Sequence, residues 1–401
     1  MNAKKFAVSS IFAKDQFIGT DTMYSCADGA CVSRIYLDSA ASCLMLKPAH
    51  FGSMEFMKHY SNTHSETHLS AKIANATYEW SRKQVLEYVG ADDGKYSCIF
   101  LGSGSTGGFN RIARMLSALR PEKTGVLVSI MEHHSNDLPH RMHHQFWHHV
   151  PCENNGYDSG TVDLVALESL LAEHEGQINY VAITAASNVT GIINPVHRVA
   201  ELAHRYGALV VVDASQYMAH QPFSMSDGSE KSDSVDVVVF SGHKLYAPGS
   251  PGVMVIKNEL IDASNPTEFG GGMVESVYVT AYTPYENGQA REEAGTPNII
   301  GATLLGITVA NLKKAGMKNI AEHENELVSY LFERLLNLKT LRLYGSKDLN
   351  RYPRTATVSF NLSGINHELL AKILNDYFAI AVRNGCFCAH PYVRSMIIEE
   401  L

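Results

Sequence analysis

Along the chain, short continuous apolar runs alternate with stretches in which apolar residues return every three or four positions. The first pattern marks strands buried on both faces, and the second marks amphipathic helices. Strands are expected at 98–101, 126–130, 180–184, 209–213, 235–240 and 253–256, with helical patterns between them at 70–88, 109–119, 164–173 and 196–206. Such alternation predicts an α/β fold, a mainly parallel sheet with helices on both faces. After Gly295-Thr296-Pro297-Asn298 the pattern changes, to helices at 299–314 and 320–338, a strand at 355–361, a helix at 367–376 and a strand at 378–382. The chain therefore divides into an N-terminal segment 1–34, a large α/β domain 35–297 and a smaller α+β domain 298–401. Residues 224–234, rich in Ser, Asp and Gly, are expected as a surface loop.

With 401 residues and 45% hydrophobic content, the chain can bury a large core. Its net charge of -8 and the lack of any long Lys/Arg block argue against a nucleic-acid partner. Residues 1–19 carry Lys4, Lys5 and Lys14 but no sustained apolar core, and no later run approaches the ~20 apolar residues of a membrane span. A cytoplasmic protein is expected. Seven cysteines, an odd number in a large chain without an export signal, argue for free thiols in a reducing compartment.

The chemistry gathers at the ends of the expected strands. Ser241-Gly242-His243-Lys244 follows a buried strand, where a lysine loses water and is pushed toward the neutral amine that attacks an aldehyde. This is how a pyridoxal phosphate lysine is built. Thirty-one residues upstream, a second buried strand delivers Asp213, followed by Ala214-Ser215-Gln216. An aspartate there can hold a pyridinium nitrogen protonated, or cap the next helix. Gly102-Ser103-Gly104-Ser105-Thr106-Gly107 follows a strand and opens a helix, so its N–H groups and hydroxyls suit a small phosphate ester. His133, in Glu132-His133-His134, can stack on a flat ring or serve as a hydrogen-bonded loop residue. The histidine-rich run to His149 lacks metal-ligand spacing, so no metal is expected. Asn188 can donate to a ring oxygen or make a turn. In Arg383-Asn384-Gly385-Cys386-Phe387-Cys388, a thiol near an arginine has its reacting thiolate form favoured, the alternatives being a small buried residue or a redox-sensitive pair.

These motifs, together with Tyr36-Leu37-Asp38-Ser39-Ala40-Ala41, Gly270-Gly271-Gly272-Met273 and Glu293-Ala294-Gly295-Thr296-Pro297-Asn298, keep an order and spacing from about residue 35 to 393 that resembles class V, fold-type I pyridoxal phosphate enzymes. In particular they resemble the group II, Suf-type cysteine desulfurases, a family that includes selenocysteine lyases. The resemblance implies that Lys244 forms the Schiff base to pyridoxal 5'-phosphate, Asp213 faces the pyridine nitrogen and His133 stacks on the ring. It also implies that Asn188 and Gln216 contact the ring oxygen or the substrate, and that Ser105, Thr106, Ser241 and His243 hold the phosphate. Thr296 would arrive from the second subunit of a homodimer, Cys388 would take sulfur from L-cysteine as a persulfide while alanine leaves, and Arg383 would border the substrate pocket. A sulfur-acceptor protein is an expected partner. Two departures accompany the match. Ser105-Thr106-Gly107 stands where the family has a Thr-Thr-Glu, and thirteen residues follow Cys388 where the family places a carboxylate-clamping arginine about fifteen residues on, leaving Arg394 as the available substitute. Other class V activities (C–S lyase, aminotransferase, molybdenum-cofactor sulfurase-like) and a non-catalytic partner of the same fold are the alternatives.

Overall fold

A computed structural model of the chain describes residues 13–154, 156–226, 228 and 233–397. Near its start, β1 (Met23–Ser25) and β2 (Cys31–Ser33) form an antiparallel pair, and β3 (Ile35–Tyr36) follows. The central sheet is built from β4 (Tyr96–Leu101), β5 (Gly125–Ser129), β6 (Phe146–Val150), β7 (Ile178–Thr184), β8 (Leu209–Asp213), β9 (Val237–Ser241) and β10 (Gly252–Lys257). Their spatial order is β4-β10-β9-β8-β7-β5-β6. Runs such as Val237-Val238-Val239-Phe240 are buried at every position, because β-branched and aromatic residues pack on both faces of a sheet covered on both sides.

All neighbours are parallel except those of β10, which runs against both β9 and β4. The connection 242–251 is too short for a parallel crossover, which needs about a dozen residues or more, so the chain must turn back. Because β10 reverses direction between them, β4 and β9 point the same way. The carboxyl ends of β4, β5, β7, β8 and β9 therefore share one edge of the sheet, the edge on which ligands bind in open α/β folds.

One face of the sheet is covered by the helix Gly104–Leu119, whose Phe109, Ile112 and Leu116 pack on Val126, Tyr180, Val211, Val239 and Met254. The opposite face packs Val212, Val238, Phe240 and Val255 with the helices Leu69–Tyr88, Val196–Arg205 and Ile299–Ala315. Each fully buried Leu, Ile or Phe in these layers contributes about 1.5–3 kcal/mol of transfer free energy. The helix Ile299–Ala315 thus lies in the core of the sheet domain, through Ile299, Ala302, Leu305, Val309 and Leu312. The division expected at 297/298 does not coincide with a break in the hydrophobic core.

Beyond the helix Met317–Leu336, β13 (Leu341–Leu343) and β14 (Phe360–Leu362) pair antiparallel, and β15 (Ile380–Ala381), after the helix His367–Phe378, pairs in parallel with β3. Earlier in the chain, β11 (Val274–Val277) and β12 (Tyr282–Pro284) form a hairpin with Tyr278 and Val279 exposed at its tip. The strand expected at 355–361 is mostly irregular. Its leading residues turn toward the loop after β7 instead, where Thr355 N–H donates to Gly191 O at 2.9 Å and the Arg354 guanidinium donates to Thr190 O. Of the loop expected at 224–234, residues 227 and 229–232 lie outside the described residues. Among the described residues no helix is long and apolar enough to cross a membrane.

Candidate active site

Lys244 ends the short helical turn Gly242–Lys244 that follows β9. Among the described residues its amine makes no hydrogen bond or ion pair. Burial lowers its pKa from the ordinary lysine value and Arg383 adds to that, while the charges of Asp213, Cys43 and Cys388 oppose it. The loop that carries Lys244 is braced from the N-terminal side: Cys43 Sγ donates to Lys244 O at 3.0 Å, Cys43 N–H to His243 O at 3.0 Å, and His243 Nδ1 lies 3.2 Å from Ser42 Oγ. The Cys43 thiol is pushed up to about 12 by burial, so it acts here as a donor and a filler, not as a nucleophile.

Asp213 ends β8 and is buried. Its Oδ1 accepts Ser215 N–H at 2.9 Å, while its Oδ2 has no hydrogen-bond partner among the described residues. Following β5, His133 accepts Ser135 N–H on Nδ1 at 3.1 Å, with Ser135 Oγ 2.9 Å away. A nitrogen that accepts a backbone N–H carries no proton, so the hydrogen of this imidazole sits on Nε2. Burial, aided by Lys244, lowers His133 to about 4 and keeps it neutral, against the pull of Asp213.

Ser135 also joins this corner to the loop 102–107 after β4, with its hydroxyl 2.7 Å from Thr106 Oγ1. Gly104 opens that loop's helix at φ +61°, a conformation that favours glycine. Ser105 N–H donates to Ser241 Oγ at 2.9 Å, and the two hydroxyls lie 3.0 Å apart. Gly252 on β10 runs so close behind that a Cβ there would sit 2.2 Å from Gly104 O. Three strand ends are thereby locked into one cradle of hydroxyls and N–H groups.

On the other side lies the 383–390 turn. Phe387 and Cys388 are left-handed at φ +52° and +55°, a conformation that costs a non-glycine residue roughly 1–2 kcal/mol. Tethers hold it: Asn188 Nδ2 donates to Phe387 O at 2.7 Å, His134 N–H to Cys388 O at 2.7 Å, and Ala389 N–H to Cys386 O at 2.9 Å. Cys388 is exposed. The exposed Arg383 guanidinium stands 4.0 Å from Asp38, whose carboxyl is raised by burial against the pull of Arg383. Gln216 Nε2 donates to Ala40 O at 2.6 Å, which ties the segment after β8 to the N-terminal motif.

Of the residues singled out from sequence, Lys244, Asp213, His133, Cys388 and Arg383 share one electrostatic field, and Ser105, Thr106, Ser241 and His243 join it through hydrogen bonds. Asn188 and Gln216 line it. Thr296 stands apart: it is exposed and takes a bond of 3.2 Å from Asn62 Nδ2. Arg394 lies on the exposed side of the helix His390–Ile397 and makes no hydrogen bond or ion pair among the described residues. Sequence reasoning did not find Ser42, Cys43, Ser135 or the buried Glu132, which gathers donors from Ser129 Oγ, Thr184 N and Asn136 Nδ2, each at 2.6 Å, and whose pKa burial raises to about 8. Ser42 and Cys43 directly follow one quoted motif, Ser135 directly follows another, and Glu132 lies inside that second one without a role assigned to it.

The donor set fits pyridoxal 5'-phosphate. Among the described residues, the Lys244 amine has no partner, Asp213 Oδ2 has no donor, the neutral His133 keeps Nε2–H free and the buried Ser215 hydroxyl is unpartnered, all near the anion cradle.

Known proteins resemble the chain over most of its length. The sequence pattern of the aminotransferase class-V family matches residues 35–400. A protein of Enterobacter sp. (strain 638) named cysteine desulfurase is 33% identical over 366 residues, which is 89% of this chain and 84% of that protein. Among solved structures, the apo cysteine desulfurase of Thermococcus onnurineus NA1 superposes with a TM-score of 0.81 at 30% identity, over 90% of this chain and 87% of the other. The Escherichia coli cysteine desulfurase CsdA, in an S-sulfonic acid form, gives 0.74 at 28% identity over 90% and 86%.

Proposed function

The chain belongs to the aminotransferase class-V family, and from that premise we propose that it is a pyridoxal phosphate-dependent cysteine desulfurase that converts L-cysteine to L-alanine and takes the sulfur onto Cys388. One observation carries the assignment of the thiol. The turn that bears Cys388 is bonded to His134, next to His133, and its sulfur lies within the field of Lys244.

When bound, pyridoxal phosphate supplies an aldehyde for an amine and a protonated ring that stores the electron pair left by the substrate's α-proton. Ser105, Thr106, Ser241 and His243 would hold its phosphate, Asp213 Oδ2 its ring nitrogen and His133 its face, with Asn188 and Gln216 at the ring oxygen or the substrate. Lys244, pushed by burial toward its neutral form, is the base for the α-proton. His133 stays neutral at working pH and offers Nε2–H as a donor. Arg383, whose charge reaches Lys244, would border the substrate pocket. Cys388 thiolate attacks the substrate sulfur: an S–S bond forms, the C–S bond breaks with its electron pair left on carbon, and protonation of that carbon gives alanine. A homodimer would bring Thr296 of a second copy to the phosphate, and a sulfur-acceptor protein would unload Cys388, in the cytoplasm.

The test is direct. Lys244→Ala should lose both the visible absorption of bound cofactor and all alanine formation. Cys388→Ala should keep the absorption and lose alanine formation. A Cys388→Ala protein that makes alanine from L-cysteine at full rate refutes the role of that thiol, and pyruvate with ammonia as products of the unaltered chain points instead to a C–S lyase.

A further inference from the structure

Two histidines that the mechanism does not use bind the Cys388 turn. His134 Nε2 accepts the backbone N–H of His390 at 3.4 Å and faces His390 Nδ1 at 3.0 Å. The rings stack at 4.9 Å with 7° between their planes. His134 N–H holds Cys388 O at 2.7 Å, so one residue grips the turn at both ends. The acceptor role fixes His134 as a neutral ring with its hydrogen on Nδ1, and His390 then presents Nδ1–H to it. A proton placed on His134 Nε2 would face two N–H groups, the backbone N–H and the Nδ1–H of His390.

Resting on the reading of Cys388 as the sulfur acceptor, we infer that His134 and His390 are a positioning pair for that thiol, a clasp that holds the 386–390 turn against the Lys244 site and loosens when His134 Nε2 takes up a proton. The groups facing the pair act in both directions. Burial, His390 and Arg141 disfavour a proton on His134, and Asp137 favours one. His133 lies 6.2 Å away ring to ring, and Lys244 and Cys388 lie on the site side. Because the folded state prefers neutral His134, the clasp is complete above the free imidazole value of ~6.5 and weakens as pH falls below it.

The experiment compares the full-length, cofactor-loaded chain with His390→Gln and with His390→Phe, which keeps a flat ring but offers no N–H. Backbone hydrogen exchange of the peptide 383–391, corrected for intrinsic rates, is measured at about pH 5.5 and 7.5, on either side of the imidazole value. At the higher pH the unaltered chain should protect the amides of Ala389 and His390, and at the lower it should lose about tenfold of that protection, as one or two hydrogen bonds warrant. Both variants keep the backbone N–H of residue 390 as a donor to His134 Nε2 but lose the Nδ1 contact, so at the higher pH their protection should fall below that of the unaltered chain. In both, kcat for alanine formation should fall about 3- to 10-fold, with KM and the cofactor's visible absorption unchanged. Exchange indifferent to pH and to residue 390, or full kcat in both variants, overturns the inference. An unaltered chain that makes no alanine overturns the functional reading, and the exchange measurement then decides the clasp by itself.

Discussion

Glu293→Ala is the substitution whose cost the structure defines best. Glu293 and Arg82 form a two-pronged ion pair, Nη1 to Oε1 and Nη2 to Oε2, each 2.7 Å, with side chains only 9% and 7% exposed. The same carboxylate accepts Phe100 N–H at 2.6 Å and Tyr78 Oη–H at 2.7 Å. Burial works against the Arg82 charge, and Glu293 overcomes it, holding the guanidinium's pKa well above its ordinary value. Removal of Glu293 therefore leaves a buried cation with only the exposed Glu79 carboxylate at 3.1 Å and Cys98 O at 2.6 Å, and strands a strand N–H and a buried hydroxyl with it. Loss of one partner of such a pair costs about 3–5 kcal/mol, which at ~2–4 °C per kcal/mol lowers the melting temperature by about 6 °C or more. Chemical denaturation followed by circular dichroism measures it. An apolar pair of similar volume is often neutral, so Arg82→Met with Glu293→Leu should recover most of the loss. A drop below about 1 kcal/mol for Glu293→Ala, or a double variant no better than the single one, would refute the reasoning.

Three other outcomes follow from the site. Gly252→Ala forces a methyl group into the backbone of Gly104 at 2.2 Å, so cofactor affinity should weaken about tenfold or more in an absorbance titration, and a change under twofold contradicts the cradle geometry. Asp213→Asn removes the buried carboxylate while keeping its size; alanine formation should fall about 100-fold or more with cofactor still bound, and an unchanged kcat would remove Asp213 from the reaction. His140, buried between Asn136 Oδ1 and Tyr180 Oη at 2.8 Å each, is lowered by burial to about 3. A lowered folded value stabilises above the unfolded value of ~6.5 and is lost as pH falls toward 3. Urea midpoints between about pH 6.5 and 4 should thus decline less steeply in His140→Gln than in the unaltered chain, by up to ~1.4 kcal/mol per pH unit, and parallel curves would exclude the effect.

The sheet was readable because its strands are buried on both faces, so unbroken runs such as 209–213 and 237–240 announce themselves without context. Strand β6 was not, since an edge strand with half-buried histidines has neither an apolar run nor clean alternation. The reversal at β10 is written only in the length of a connection, and the irregular 355–359 stretch in bonds to a loop more than 160 residues earlier. In the site, Lys244, Asp213 and His133 could be read because each lies at or within four residues of the carboxyl end of a strand. Cys43, Ser135 and the His134–His390 pair could not, because each matters through what the fold sets opposite it.

The pairing of β3 with β15 joins Ile35 to Ile380 and Tyr36 to Ala381. On a ribosome adding roughly 5–20 residues per second, the first of these strands waits on the order of 20–70 seconds for its mate, which is made only a few residues before Cys388. Until then it presents bare backbone to its surroundings, a template for mispairing while the sheet domain is already folding. The pocket wall is therefore among the first parts translated and among the last completed, and catalytic competence must lag behind the burial of the core.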